Sequence, residues 1–522
     1  MLAAVAFSCT EPKKETLYRL LPPDETGVHF SNTIVDNDTF NAIDFTFIYN
    51  GAGVAVGDVN SDGLPDLYFS GNMVSSKLYL NKGDLTFEDI TENSGAGTSR
   101  WATGVSITDI NQDGLPDIYV CAANHIDSTQ AANLLFVNQG NNSEGIPTFR
   151  EMAESYGLAD KGYSTQAAFL DYDRDGDLDM YLLTNAIEDF NHNIIRPKKK
   201  DGTGRSNDRL YRNEGTGPNG HPVFANVTRE AGILIEGYGL GIAVSDLNQD
   251  GWPDIYCGND FISNDLVWVN QGEKDGVHQG FVNMAADLLK HQTHNGMGTD
   301  IADFNNDGLV DIMVLDMLPE DNYRKKTMLG KPNYDQFIMG LSMEYQPQYV
   351  RNTLQLNQGL DASGKPVFSE IGQLAGVHQT DWSWACLLAD YDNDGLRDLY
   401  ITNGYRKDVT DLDFVVYQNN TMFGTAKSRD KAAKDRFVAV PEIKISNYMY
   451  RNSGENLRFE DVTSDWVLKQ PSYSNGAIFA DLDNDGDLDL AVNNIDEPAM
   501  LYENRLNRPD TPAQSWLRIK LK

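Results

Sequence analysis

One nine-residue acidic segment, D-x-[DN]-x-D-G-x-x-D, recurs seven times along the chain, starting at Asp58, Asp109, Asp171, Asp246, Asp303, Asp390 and Asp481. Sevenfold self-similarity narrows the fold sharply, because each copy must be one supersecondary unit that buries its apolar surface only against its neighbours. Around the copies, strand-length segments follow in a fixed order. A stretch built on small residues precedes the acidic segment, as in Gly53-Val54-Ala55-Val56, Gly104-Val105-Ser106-Ile107, Gly241-Ile242-Ala243-Val244 and Gly476-Ala477-Ile478-Phe479. A second apolar stretch follows it, as in Leu67-Tyr68-Phe69, Ile118-Tyr119-Val120 and Ile255-Tyr256-Cys257. The third ends in Asn (Leu78-Tyr79-Leu80-Asn81, Leu210-Tyr211-Arg212-Asn213), and the fourth carries Phe and often ends in Thr (Phe87-Glu88-Asp89-Ile90-Thr91). Four short strands per unit, separated by turn residues, predict an all-β, seven-bladed β-propeller with four-stranded antiparallel blades. The 3.6-residue periodicity that a helical solenoid needs is not seen.

Successive segments start 51, 62, 75, 57, 87 and 91 residues apart. A core unit near fifty therefore carries insertions, at 186–206, 316–350 and 404–446. The last acidic segment is followed by a third strand, Met500-Leu501-Tyr502-Glu503-Asn504, but by no Phe-x-Asp strand. Gly27-Val28-His29-Phe30-Ser31-Asn32 is expected to complete the seventh blade, pairing the two ends of the chain and removing an open sheet edge. The competing strand is Trp516-Leu517-Arg518-Ile519. The propeller is thus expected over 27–507, with 1–9 a lipoprotein signal remnant, 10–26 a tether and 508–522 a further segment.

The acidic segments have the chemistry of a hard-cation site. In the first, Asp58, Asn60 and Asp62 stand at positions 1, 3 and 5, Leu64 offers its carbonyl at 7, and Asp66 adds a carboxylate at 9. Alternate residues face one point in a tight coil, and Gly at position 6 permits the sharp turn. The set recurs as Asp109, Asn111, Asp113, Leu115 and Asp117, and as Asp171, Asp173, Asp175, Asp177 and Asp179. It appears again as Asp246, Asn248, Asp250, Trp252 and Asp254, and as Asp303, Asn305, Asp307, Leu309 and Asp311. The last two sets are Asp390, Asp392, Asp394, Leu396, Asp398 and Asp481, Asp483, Asp485, Asp487, Asp489. Oxygen donors without Cys or His select Ca²⁺ over zinc or copper, giving up to seven structural ions. Position 12, where an EF-hand places Glu, is Phe69, Val120, Leu182, Cys257, Val314, Ile401 or Val492, apolar every time. The loop is therefore expected to run into a buried strand, as a fixed clamp and not a sensor. Affinities on the order of 10⁻⁴–10⁻³ M, usual for extracellular modules, suit a calcium-rich exterior.

Composition agrees. The net charge is −35, from 77 acidic and 42 basic residues, which argues against a nucleic-acid partner. Aromatics at 10% and hydrophobics at 40% exclude the disorder that acidity can signal. The loops hold 26 of the acids, and seven divalent ions would bring the net charge to about −21. Four cysteines are too few for a disulfide scaffold; Cys121, Cys257 and Cys386 sit in apolar runs and read as buried strand residues. Cys9 follows an apolar run ending in Ser8 and precedes a polar tract, which resembles a bacterial lipoprotein signal with Cys9 as the acylated residue. No other segment has the length to span a membrane.

From Gly27 to Asn504 these residues resemble the FG-GAP or VCBS repeat, familiar from the integrin α-subunit propeller. Phe47-Ile48-Tyr49-Asn50, Asp316-Met317-Leu318-Pro319-Glu320-Asp321, Asp381-Trp382-Ser383-Trp384 and Asn403-Gly404-Tyr405-Arg406 are similar to one subgroup. That subgroup comprises bacterial surface proteins resembling cartilage acidic protein, which carry a C-terminal ASPIC/UnbV domain. Trp516-Leu517-Arg518-Ile519-Lys520-Leu521 looks like the first strand of that domain, cut short here. The resemblance implies secretion or surface display and a binding role, and establishes no enzymatic activity; with the signal at Cys9, the expectation is an exported outer-membrane or cell-surface lipoprotein of a Gram-negative bacterium with a monomeric propeller.

Recognition is expected on the inserted loops. The first holds Arg196-Pro197-Lys198-Lys199-Lys200, which either docks an anionic glycan or acidic partner or is a solvated loop. Trp382 and Trp384 precede an inner strand near one mouth of the channel and serve as an aromatic platform or as core. His291 and His294 are expected to have an ordinary polar role. No Ser-His-Asp, Walker or zincin signature is present. Two classes remain: a non-catalytic surface binder or scaffold for a glycan or protein, and a propeller enzyme (lyase or glycosidase) acting on polysaccharide. A channel lined by convergent Arg, His, Tyr and Glu would favour the enzyme; an apolar one would favour the binder.

Overall fold

The computed structural model describes residues 15–37, 40–42, 45–123, 130–185, 195–261, 263–328, 334–414, 416, 440–467 and 469–507. Seven four-stranded antiparallel sheets form seven blades of a β-propeller. Blade 1 is Val54–Gly57, Asp66–Phe69, Lys77–Asn81 and Phe87–Asp89, in order from the axis outward. The inner strands of blades 2 to 7 are Ala102–Thr108, Ser164–Leu170, Gly239–Ser245, Thr299–Ala302, Ser383–Ala389 and Ser474–Ala480. Each packs on the next, and the seventh packs on the first, so the ring closes. The core lies between blades: Ile118 and Val120 of blade 2 share one apolar cluster with Tyr68, Leu78 and Leu80 of blade 1. The position-12 residues Phe69, Val120, Leu182, Cys257, Val314, Ile401 and Val492 are all 0% exposed, as expected of a strand between two others.

The two ends of the chain do pair, but not through the expected segment. The fourth strand of blade 7 is Tyr18–Leu21, antiparallel to Met500–Asn504. It lies inside the stretch expected as a tether, whereas 27–32 contributes only isolated bridges, Ser31 with Pro498 and Asn32 with Ile495. The cause is a substitution within the repeat. In blades 1 to 6 the Asn ending the third strand pairs with the Phe of the fourth, as Asn81 does with Phe87 and Asn452 with Phe459. In blade 7 Asn504 pairs with Tyr18. The Tyr18 hydroxyl donates to Leu488 O and accepts from Asn504 Nδ2, bonds that Phe could not make. The chain then makes a short helix, Pro23–Thr26, ended by Gly27 at φ 78°. A Cβ there would stand 2.3 Å from Phe87 O of blade 1, so the tight turn and close approach both require glycine. Trp516-Leu517-Arg518-Ile519, Cys9 and the 508–522 segment lie outside the described residues.

In an antiparallel blade the acidic loops, joining strands one and two, lie at the opposite end from the connections between strands two and three. The three insertions occupy those latter connections, in blades 3, 5 and 6, on the face opposite the loops. Their described parts bind one another. Arg324 reaches Asp381 at 2.6 and 2.8 Å and Asp408 at 2.9 Å, while Tyr345 donates to Arg196 O. No helix among the described residues is long and apolar enough to cross a membrane.

Candidate metal centres

All seven acidic segments adopt one local conformation. Position 4 is left-handed in every loop (Ser61, Gln112, Arg174, Gln249, Asn306, Asn393 and Asn484, φ 55–61°), and the position-6 glycines follow at φ 85–97°. In each loop the position-6 N–H donates to the position-1 carboxylate, as Gly63 does to Asp58 and Gly486 to Asp481. In five of the loops the position-5 N–H also donates to the side-chain oxygens of positions 1 and 3, drawing those two together.

Position 9 does something the sequence did not show. Each of these aspartates brackets two main-chain donors. Asp254 accepts from Leu247 N at 3.0 Å and from Asn270 N at 2.8 Å, tying its loop to the third strand. The same pair of bonds occurs at Asp66, Asp117, Asp179, Asp311, Asp398 and Asp489. Burial pushes the carboxyls of Asp66, Asp117, Asp254 and Asp311 up to about 7, with neighbouring loop aspartates adding to the effect of burial. Asp179 and Asp398 rise to about 8 for the same reasons. The bracketed Asn reaches further. Asn270 Nδ2 donates to Tyr172 O of the preceding blade's loop, and Asn81 and Asn504 do likewise to Leu482 O and Asn504's neighbour Tyr391 O.

The loops also bind each other directly. Gln112 donates to Gly176 O, Gln249 to Gly308 O, Asn306 to Gly395 O, Asn393 to Gly486 O, and Asn484 to Gly63 O across the closure. Arg174 instead lies over the Trp252 ring at 5.1 Å.

Three loops bring carboxylate oxygens within 4.8 Å of one another: Asp171, Asp173 and Asp179; Asp390, Asp392 and Asp398; Asp481, Asp483 and Asp485. These are the loops with Asp, not Asn, at position 3. In the third loop the Oδ1 atoms of Asp171, Asp173 and Asp177 are buried without a hydrogen-bond partner. Converging, unpartnered, oxygen-only donors fit a hard divalent cation. The Asp177 and Asp487 side chains, treated in the sequence only for their carbonyls, add carboxylates of their own. Burial, and then Asp175, raise Asp177 to about 6. Arg451 meets loop 6 with its guanidinium 2.9 Å from Asp392 and 3.0 Å from Asp394, offsetting charge there. In the loops with Asn at position 3 the position-5 carboxylates are exposed and the position-1 carboxylates half-buried, and both hold the loop's own N–H groups, as Asp246 holds Asp250 N and Gly251 N and Asp250 holds Trp252 N.

The other candidates resolve differently. The basic run is partly engaged by neighbouring groups, although Lys199 and Lys200 remain exposed. Arg196 forms a two-pronged pair with Glu236, Lys198 donates to Asn264 and lies over Tyr345, and Lys200 pairs with Glu344. His291 bonds Glu370 and Arg351, while His294 is half-buried with its ring on Asn295, so the two rings have different partners. Cys121, Cys257 and Cys386 are buried free thiols in strands. Trp382 stacks on Tyr405 with ring centres 3.9 Å apart, as packing. Trp384 donates to Gly404 O and lines a cavity of about 300 Å³ at the start of the inner strands, on the channel mouth opposite the loops. Phe45, Phe47, Trp101 and Tyr163 also line it, with Asn50, Asn185 and Asn475, and no charged residue does among those described.

Residues 58–120, 246–314 and 433–492 match the FG-GAP-like repeat. The chain is similar to cartilage acidic protein 1 of Xenopus tropicalis, 26% identical over 241 residues, covering 46% of this chain and 33% of that protein. It is similar to the Homo sapiens protein of the same name, 26% identical over 334 residues, covering 58% and 47%. The chain therefore spans less than half the length of these relatives. Among solved structures it is similar to an Agrocybe aegerita lectin that recognises non-reducing terminal N-acetylglucosamine (16% identical, 80% and 81% of the two chains, TM-score 0.38). It is also similar to the V. cholerae biofilm matrix protein Bap1 (9% identical, 93% and 91%, TM-score 0.38).

Proposed function

The chain is an FG-GAP β-propeller, and on that premise we propose that it is a non-catalytic, calcium-stabilised binding or scaffold module of the cell surface. FG-GAP repeat proteins are often extracellular or surface proteins. In this reading the loop face is the metal-held frame, and the opposite face, with its collar of insertions, meets a glycan or protein partner. Calcium suits the frame because it takes six to eight oxygens in adaptable geometry, whereas magnesium demands a small octahedron and keeps its waters. Positions 1, 3, 5 and 9 with the position-7 carbonyl would hold the ion, which supplies positive charge among carboxylates that otherwise repel. A lipid on Cys9 would tether the module to a membrane surface.

The observation that carries the non-catalytic reading is the channel mouth. Glycosidases place two carboxylates across the scissile bond, and the described lining of this cavity offers aromatic faces, amides and hydroxyls but no acid, base or cation. A polysaccharide and glycan array, read for retained protein and for released product, tests this. Retention without product is expected; soluble oligosaccharide appearing with the protein would overturn the reading.

A further inference from the structure

We propose that the cavity at the channel mouth is a site for one neutral pyranose ring, the terminal residue of a glycan chain. The proposal deepens the binding-module reading above and rests on it. About 300 Å³ is the lower end of the range for small-ligand pockets, suited to one ring with part of its neighbour. Phe45, Trp101, Tyr163 and Trp384 give the walls aromatic surface against which the C–H faces of a sugar pack.

The decisive residue is Asn185. It is 4% exposed, lines the cavity, and neither its Oδ1 nor its Nδ2 has a hydrogen-bond partner. Such a group costs stability unless something else satisfies it. The same position in blade 1 shows what a structural Asn does. Asn72 donates to Gly51 O and Ala102 O and accepts from Asn32 Nδ2, leaving nothing over. In blade 4 the position is Asp260, which accepts from Asn295 and Phe261 N. Asn475 adds a second unpartnered acceptor to the cavity, its Oδ1, while its Nδ2 donates to Tyr49 O and Gly404 O. A primary amide presents one donor and one acceptor side by side, which matches two adjacent hydroxyls of a pyranose, one accepting and one donating. An apolar peptide side chain would fill the walls but leave both amide atoms of Asn185 bare.

Charge narrows the ligand further. A uronate or sialic acid carboxylate would find no cation among the described lining residues, inside a chain of net charge −35. The ring is therefore an uncharged one.

The test follows tryptophan emission of the full chain in calcium, since Trp101 and Trp384 line the cavity, during titration with methyl glycosides of glucose, galactose and N-acetylglucosamine and with glucuronate. A saturable change with at least one neutral glycoside and none with glucuronate is expected. Asn185→Leu should weaken that affinity by about tenfold or more while melting no lower than the parent, because the lost amide makes no bond in the free protein. Asn185→Ala removes the same amide with less bulk and keeps the test usable if Leu does not fit. Silence towards every neutral glycoside, an equal response to glucuronate, or a response only to aromatic peptides would overturn the proposal. Glycan capture on the array that is equally strong in Asn185→Leu would overturn this site and leave the binding-module reading standing.

Discussion

At the scale of single residues, the position-9 aspartates separate two roles that the motif merges. Asp254 is 1% exposed and holds Leu247 N and Asn270 N, so it organises its loop whether or not a cation is bound. Asp250 is exposed and supports only its own loop. Asp254→Ala is expected to cost about 2–4 kcal/mol in denaturant unfolding both with calcium and with chelator, since two buried donors lose their acceptor. Asp250→Ala should be destabilising in calcium only, and neutral or slightly stabilising in chelator, where one repelling carboxylate is gone. A second buried acid gives a pH signature. Asp265 accepts from Asn259 N, the Tyr256 hydroxyl and Thr293, and burial pushes it up to about 7. Its folded value lies above the unfolded one, so between roughly pH 4 and 7 folding takes up a proton. The stability this confers is complete below the unfolded value and lost as pH rises through about 7. Asp265→Asn is expected to flatten the fall in melting temperature between pH 5 and 8, measured in chelator, relative to the parent. The chain contains its own precedent: blade 2 has Asn133 at this place, accepting from Ala122 N and donating to the Tyr119 hydroxyl. The motif made the carboxylates legible as oxygen donors. It could not show which of them the main chain already uses, because that depends on Asn residues from 15 to 54 positions away.

At the scale of elements, the blade order was readable because the repeat states it seven times, and the one misplacement has a local cause. The closing strand was sought by its Phe, and Phe30 stood in a plausible place. The residue opposite Asn504 is Tyr18, and the better landmark was the turn glycine that ends the helix after the fourth strand in four blades, Gly95, Gly157 and Gly376 in blades 1, 2 and 5 and Gly27 in blade 7. Phe30 instead stacks on Phe69 of blade 1, with ring centres 5.3 Å apart, which explains its apolar character. Removing residues 1–22 should therefore open blade 7 and leave Met500–Asn504 as a bare edge. A lower melting temperature and new oligomers in size-exclusion chromatography are the expected outcome; an unchanged monomer with an unchanged melt would show that Tyr18–Leu21 closes nothing.

At the scale of the whole molecule, the two faces divide the work. The acidic loops form a belt in which five side-chain amides at position 4 each reach the next loop, including Asn484 to Gly63 across the chain's ends. A cation held in one loop would therefore be coupled to its neighbours through these bonds. The far face is built by association over long sequence distances: Phe47, in the short helical turn Thr46–Tyr49 ahead of blade 1, meets Phe261 of blade 4, and Trp101 and Trp384 face one cavity. No motif marks that cavity, because each blade gives it only a few residues of ordinary type, and only the closed ring brings them together. The central claim is that calcium holds this ring. Thermal unfolding of the full chain in millimolar calcium and in excess EGTA tests it most directly. A melting temperature lower in chelator by ~10 °C or more, restored by calcium and not by equal magnesium, is expected; superimposable melting curves would contradict it.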